Sequence, residues 1–262
     1  SSPSAIEGSG TVKITDNSYI YGNRRAINLS DGNLEITKSK AENSNVNSYS
    51  TITMSRGNYT IDNSEIKNES YTAISGGNSS SNNAIKNGST IYGAISNTGT
   101  LSILNSTVTQ ATHYNAISLL SSSSSSSTLI LTDSVFSRTQ KDSGTQCPSS
   151  NNIHGDNRSI INSKGTLTAT RIKLHHSYAN SNTCAMSYIK NSGTANIDGL
   201  TIDNDDSAAN STSRRSTGIV NDGQMTVKNA NIVINRGISY GLYTLSGELT
   251  LLDSTIDING TE

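Results

Sequence analysis

Tryptophan is absent from this chain of 262 residues, phenylalanine occurs once, and only 32% of the residues are hydrophobic. Polysaccharide-cleaving enzymes commonly stack sugars on aromatic faces, so an extended stacking cleft is not expected. The eleven tyrosines leave a modest exception. No run of about 18 apolar residues exists, which excludes a membrane-spanning helix. Lysine and arginine number 19 against 20 acidic residues, a net charge of −1 with no basic cluster. That balance disfavours nucleic acid as a partner. The two cysteines, Cys147 and Cys184, make no Cys/His spacing of a zinc site. Low apolar content alone points towards disorder. The placement of the apolar residues argues the opposite.

The stretch Gly93–Val108, GAISNTGTLSILNSTV, holds three apolar pulses: Ala94-Ile95, Leu101 with Ile103, and Val108. Each alternates apolar with small polar residues, the period of a half-buried strand. Asn97-Thr98-Gly99 and Asn105-Ser106 separate them, and Asn and Gly tolerate the left-handed backbone of tight turns. The first pulse recurs as Ala5-Ile6, Ala26-Ile27, Thr51-Ile52, Ala73-Ile74, Ala116-Ile117, Ser159-Ile160, Tyr188-Ile189, Gly218-Ile219 and Gly241-Leu242. The step is roughly 26 residues, within the range of solenoid repeats. The second pulse recurs in parallel, from Val12/Ile14 to Leu249/Leu251. The turn after it carries Asp16, Asn63, Asn87, Asn105, Asp133, Asp198, Asn229 and Asp253, with Lys38 and Arg171 as exceptions. The third pulse is read at Ile20, Ile66, Ile91, Val108, Val135, Ile172, Ile202, Ile232 and Ile256.

One such unit cannot bury its apolar face, but a stack of them can. The expectation is a single all-β domain over residues 1–262: a right-handed parallel β-helix (β-solenoid) of about ten coils, three strands per coil. Ile14, Ile36, Ile61, Ile85, Ile103, Leu131, Ile197, Val227 and Leu251 should form one inward column. With coils spaced at about 4.8 Å, the rod is roughly 45–50 Å long. Extra residues gather between the third strand and the next first strand, at Thr37–Ser50, Ser137–Arg158, His175–Ser187 and Asp203–Thr217. They should leave from one corner, often the binding edge of a repeat protein. The run Ser121–Ser127 expands the first turn and reads as a flexible surface loop. The chain opens within one repeat and closes within another, so it is expected to be a segment of something longer.

The pattern GAISNTGTLSILNSTV resembles the repeats of right-handed β-helix passenger domains of bacterial autotransporters, the pertactin-like and AIDA-type adhesins. The resemblance covers nearly the whole chain. It is a repeat style, shared with phage tailspikes and polysaccharide-degrading enzymes. It implies a secreted protein at the bacterial outer-membrane surface that adheres to host extracellular matrix proteins or glycans, or associates with other copies. The family's C-terminal membrane barrel is not in this stretch, as expected of a passenger fragment.

An enzyme of this fold would need two carboxylates across a glycosidic bond, one with a raised pKa. Asp203, Asp205 and Asp206 are the densest acidic cluster, but they read as a solvated loop. Arg171-Ile172-Lys173 and Ile153-His154-Gly155-Asp156 resemble fragments of the polygalacturonase set, without its Asn-Thr-Asp and Asp-Asp segments. No reaction, cofactor or metal is therefore expected. The asparagine and aspartate column after the second strand reads as turn structure.

Binding is expected on outward positions and corner loops. Arg214 and Arg215 can make forked bonds to carboxylate or sulfate, and His175 and His176 sit one coil earlier in the corresponding connection. On a strand the two histidines would face opposite ways. Those four are the candidate ligand-binding residues. Cys147 and Cys184 lie in connections of consecutive coils. If these share a corner, the cysteines approach to disulfide distance, about 5.5–6 Å between Cα atoms; the alternative is two separate thiols.

Overall fold

A computed structural model describes residues 4–44, 49–112, 118–140, 159–178, 186–205, 215–235 and 238–259. Among these the chain is all β, and its strands join one 22-stranded sheet by parallel pairings. The sheet winds as a right-handed parallel β-solenoid. A parallel strand needs a crossover before it can pair with its predecessor, and two further strands per coil supply it.

The second-strand column runs Ile14, Ile36, Ile61, Ile85, Ile103, Leu131, Ala169, Ile197, Val227 and Leu251, each in register with the next. All but Leu251 are buried. A one-residue slip would turn every one of them to solvent, so burial fixes the register. The column has ten rungs, though the solenoid makes about eight turns rather than the ten coils expected. Eight are covered on both sides. The end rungs are half open, with Ile6, Val12 and Ile20 at one end and Leu242, Leu249, Leu251 and Ile256 at the other only partly buried.

Three assignments shift. In the sixth coil the first strand is Leu120–Ser122, with Leu120 between Ile95 and Ile161. Ala116 and Ile117 lie outside the described residues, and Ile161 rather than Ile160 holds the register. In the third-strand column Phe136 and Leu174, not Val135 and Ile172, align with Val108 and Ile202. Val135 is exposed, because the neighbouring phenylalanine takes the inward site. Thr37–Ser50 is also not all connection: Lys40–Asn43 is a third strand whose Ala41 lies between Ile20 and Ile66. Its single small apolar residue hid it among charges.

Two corners are built alike in nearly every coil. At the first, glycines stack so closely that a Cβ on Gly223 would lie 2.1 Å from the Gly193 carbonyl oxygen. Buried Asn97, Asn191 and Asn221 each donate to the carbonyl of the glycine two residues on, at 3.1, 3.1 and 2.8 Å. The Ser121–Ser127 run belongs to this corner. Ser122 and Ser127 are buried, and Ser123 N–H donates to Asn97 O at 3.0 Å. The run is thus partly built into the wall.

At the second corner every coil turns left-handed, at Asp16, Lys38, Asn63, Asn87, Asn105, Asp133, Arg171, Gly199, Asn229 and Asp253, with Asn17 and Gly88 adding a second such residue in two coils. In the eighth coil Gly199, not Asp198, holds this place. Just beyond seven of the ten second strands stands a serine, and Ser39, Ser64, Ser89, Ser106 and Ser134 of these are buried. Ser18 N–H donates to Ser39 Oγ (3.2 Å), Ser39 N–H to Ser64 Oγ (3.1 Å) and Ser64 N–H to Ser89 Oγ (3.2 Å). Each hydroxyl in turn donates to a carbonyl of its own turn, as Ser64 does to Asp62 O at 2.7 Å. The ladder resumes at Ser106 and Ser134, and Ser254 closes it. Between Ser134 and Ser254 buried Ile172, Leu200 and Ala230 occupy the same place.

Candidate functional site

At the third corner, strands Val135–Gln140, Thr166–Tyr178 and Thr194–Asp205 end together, with Gln140 beside Tyr178 and Ser177 beside Asp205. His175 and His176 are therefore strand residues, not loop residues, and they face opposite ways. His176 points inward and is fully buried, edge-on to the Tyr188 ring at 6.4 Å. It continues a buried polar column of Gln110, Arg138 and Asn204. His176 thus belongs to the interior and presents nothing at the surface. Its inward place follows from the two-residue period once the strand is known to extend past Leu174.

His175 faces outward. Its Nδ1 is 2.6 Å from Asp203 Oδ1, and Lys173 Nζ is 2.7 Å from Asp203 Oδ2. Burial alone would raise the Asp203 pKa, but Lys173 and His175 outweigh it and hold it below the usual value. That keeps the carboxylate ionised, the reverse of what a general acid requires. The Asp205 side chain and Asp206 lie outside the described residues, as do Arg214 and both cysteines. Of Arg215 only the backbone is described, opening the strand Arg215–Lys228. Among the described residues no three His, Cys, Asp or Glu side chains gather as a metal site.

A second surface, not singled out from the sequence, lies on the outer face of the third-strand sheet in the first four coils. Outward positions bring Tyr19 and Tyr21 beside Lys40 and Glu42, and these beside Glu65 and Lys67. Lys40 Nζ bridges Glu42 (3.1 Å) and Glu65 (2.9 Å), and Lys67 reaches Glu42 at 3.4 Å. Tyr19 OH donates to Glu42 at 3.1 Å. Burial would raise the Glu42 pKa, yet the hydrogen bonds from Lys40 and Tyr19 lower it. The bond that Lys40 donates to Glu65 raises the lysine pKa, more than burial lowers it.

A groove of about 560 Å³ runs along the second-corner edge of this face, lined by Asn17, Tyr19, Lys38, Asn63, Glu65 and Thr90. Tyr19 and Tyr21 are 56% and 45% exposed, so two rings offer apolar area beside hydroxyl, amide and ion-paired groups. Strand Lys40–Asn43 completes the surface, and missing that strand in the sequence hid the arrangement. No protein-family model, no curated protein and no solved structure matches this chain.

Proposed function

We propose that the chain is a segment of a bacterial cell-surface adhesin, a secreted autotransporter-type passenger that binds host matrix protein or glycan and catalyses no reaction. The observation that carries this reading is the outer face of the first four coils. There exposed tyrosines and a fixed network of charges border a groove running across the coils. Outward positions recur at about 4.8 Å along a solenoid, which suits a long ligand better than a small substrate. The ion-paired state of Asp203 and Glu42 supports binding over acid catalysis. The repeat style supports display at a cell surface.

The test is binding of the purified chain to immobilised matrix proteins and to a panel of polysaccharides, with clumping of cells that display it scored alongside. Saturable binding without release of reducing ends or unsaturated sugars is expected. Turnover would establish the alternative, a polysaccharide-cleaving β-helix enzyme or tailspike. Clumping without any binding to host ligands would place the partner on another copy.

A further inference from the structure

At the third corner, between the first and second coils, two arginines share one aromatic ring. Arg24 and Arg25 sit in the short link between strands Tyr19–Gly22 and Ile27–Thr37. Tyr49 lies in the equivalent link one coil on. Arg24 Cζ is 3.9 Å and Arg25 Cζ 4.7 Å from the centre of the Tyr49 ring. Arg24 Nη2 also donates to the Tyr49 hydroxyl.

The backbone beneath is fixed. Asn43 Nδ2 donates to Arg24 O at 2.6 Å and to Tyr49 O at 3.0 Å, and Asn68 Nδ2 donates to Tyr49 O at 2.8 Å. Both asparagines are buried, so two coils pin the Tyr49 main chain and the arginine link together.

The charges are not balanced locally. Lys40, Lys67, Lys173 and Arg171 each face a carboxylate. No described carboxylate lies within 4.0 Å of Arg24 or Arg25. The Nε atoms of both arginines are buried with no hydrogen-bond partner. A tyrosine face attracts a cation, but it does not cancel the repulsion of two guanidinium groups, and beyond the one bond that the Tyr49 hydroxyl accepts from Arg24 Nη2 it supplies no acceptor for their in-plane donors. An oxyanion at the surface does both at the Nη donors, since guanidinium presents its donors as a fork that fits carboxylate and sulfate, while the buried Nε atoms stay out of its reach.

We propose that Arg24, Arg25 and Tyr49 form an oxyanion clamp that takes a carboxylate or sulfate group of an acidic polysaccharide. This rests on the glycan branch of the adhesin reading and names its ligand class. A polysaccharide is favoured over an acidic peptide because the clamp and the groove flank one face, separated by the four-residue strand Tyr19–Gly22. The groove supplies hydroxyl and amide partners for sugar hydroxyls, and the clamp supplies the charge.

The test is calorimetric binding of the purified chain to polygalacturonate (carboxylate only), dextran sulfate (sulfate only), neutral dextran and poly-glutamate. Binding to at least one acidic glycan, and weaker binding to dextran and poly-glutamate, is expected. The double variant Arg24→Gln/Arg25→Gln should lose about tenfold or more, the scale of losing a charge-assisted bond. Lys13→Gln/Lys190→Gln, which removes the same charge elsewhere, should bind as the parent does. Arg25→Gln alone keeps the Arg24–Tyr49 contact and serves if the double variant unfolds; it too should weaken binding. Unchanged affinity in the arginine variants, or equal loss in the lysine variant, overturns the clamp. Equal binding to poly-glutamate moves the partner to an acidic protein and overturns the polysaccharide assignment. Cell adhesion that survives the arginine substitutions rejects the clamp while leaving the adhesin reading standing.

Discussion

The first and second corners of the coil differ from the third in what holds them. At the first two, backbone angle, close glycine contact and side-chain hydrogen bonds repeat from coil to coil, and no described link between strands exceeds five residues. At the third, chain length varies widely, and the side chains differ in kind: Arg24, Arg25 and Tyr49 near one end and, further on, the strands leading to the corner that carry the Lys173–His175–Asp203 cluster. A stack needs two closed corners to hold register. The third is then free to vary, and distinctive chemistry collects there.

The sharpest way to break that division is to crowd a closed corner. Gly223→Ala places a Cβ 2.1 Å from the Gly193 carbonyl. Flexible side chains cannot absorb a clash with backbone, so a loss of roughly 3 kcal/mol is expected, read as a fall in unfolding temperature. Next is Ser64→Ala, which leaves the buried Ser39 N–H without its acceptor and removes the bond to Asp62 O. About 1–2 kcal/mol should be lost. A loss no greater than at an exposed serine would mean that the ladder is incidental.

A smaller effect of opposite sign is expected at Lys38, held at φ 47°. Left-handed backbone costs most residues about 1 kcal/mol and asparagine less, so Lys38→Asn should gain about 0.5 kcal/mol. The smallest effect concerns the third corner. The Asp203 pKa lies below its ordinary 3.8 when folded. Its pairing therefore contributes stability above that ordinary value and loses it as pH falls through the lowered folded value. Asp203→Asn should unfold slightly earlier than the parent at pH 6, with the gap closing towards pH 2. A gap that persists in acid would show that packing, not charge, sets the contribution.

The second-strand column was legible because burial imposes a strict period, and Ile14 to Leu251 needed only that rule; the third-strand column was not legible at Val135 and Ile172, where Phe136 and Leu174 take the inward sites. The left-handed column was legible where Asn or Asp advertised it. It was hidden at Lys38 and Arg171, where stacking between neighbours overrides residue preference. Arg171 gains a forked bond to Asp133 in the coil before, at 2.6 and 2.8 Å. The serine ladder was present as a spacing, yet serine is so common here that the signal sank into the background. His176 was misplaced because its strand runs further than its apolar residues do. The meeting of Arg24 and Arg25 with Tyr49 was not legible, since it depends on two links of consecutive coils stacking at one corner.

The serine ladder also has a mechanical meaning. Hydrogen bonds between coils point along the rod, so tension on its ends loads the coil boundaries in series and the weakest yields first. Where serine hydroxyls cross a boundary they add rope strands to those of the backbone. Between Ile172, Leu200 and Ala230 no described serine hydroxyl crosses the corner, and the backbone is joined there by the bond from Asn229 Nδ2 to Asp198 at 2.7 Å. Each coil that gives way releases roughly 26 residues, or about 90 Å of extended chain. A rod built this way pays out slack in steps.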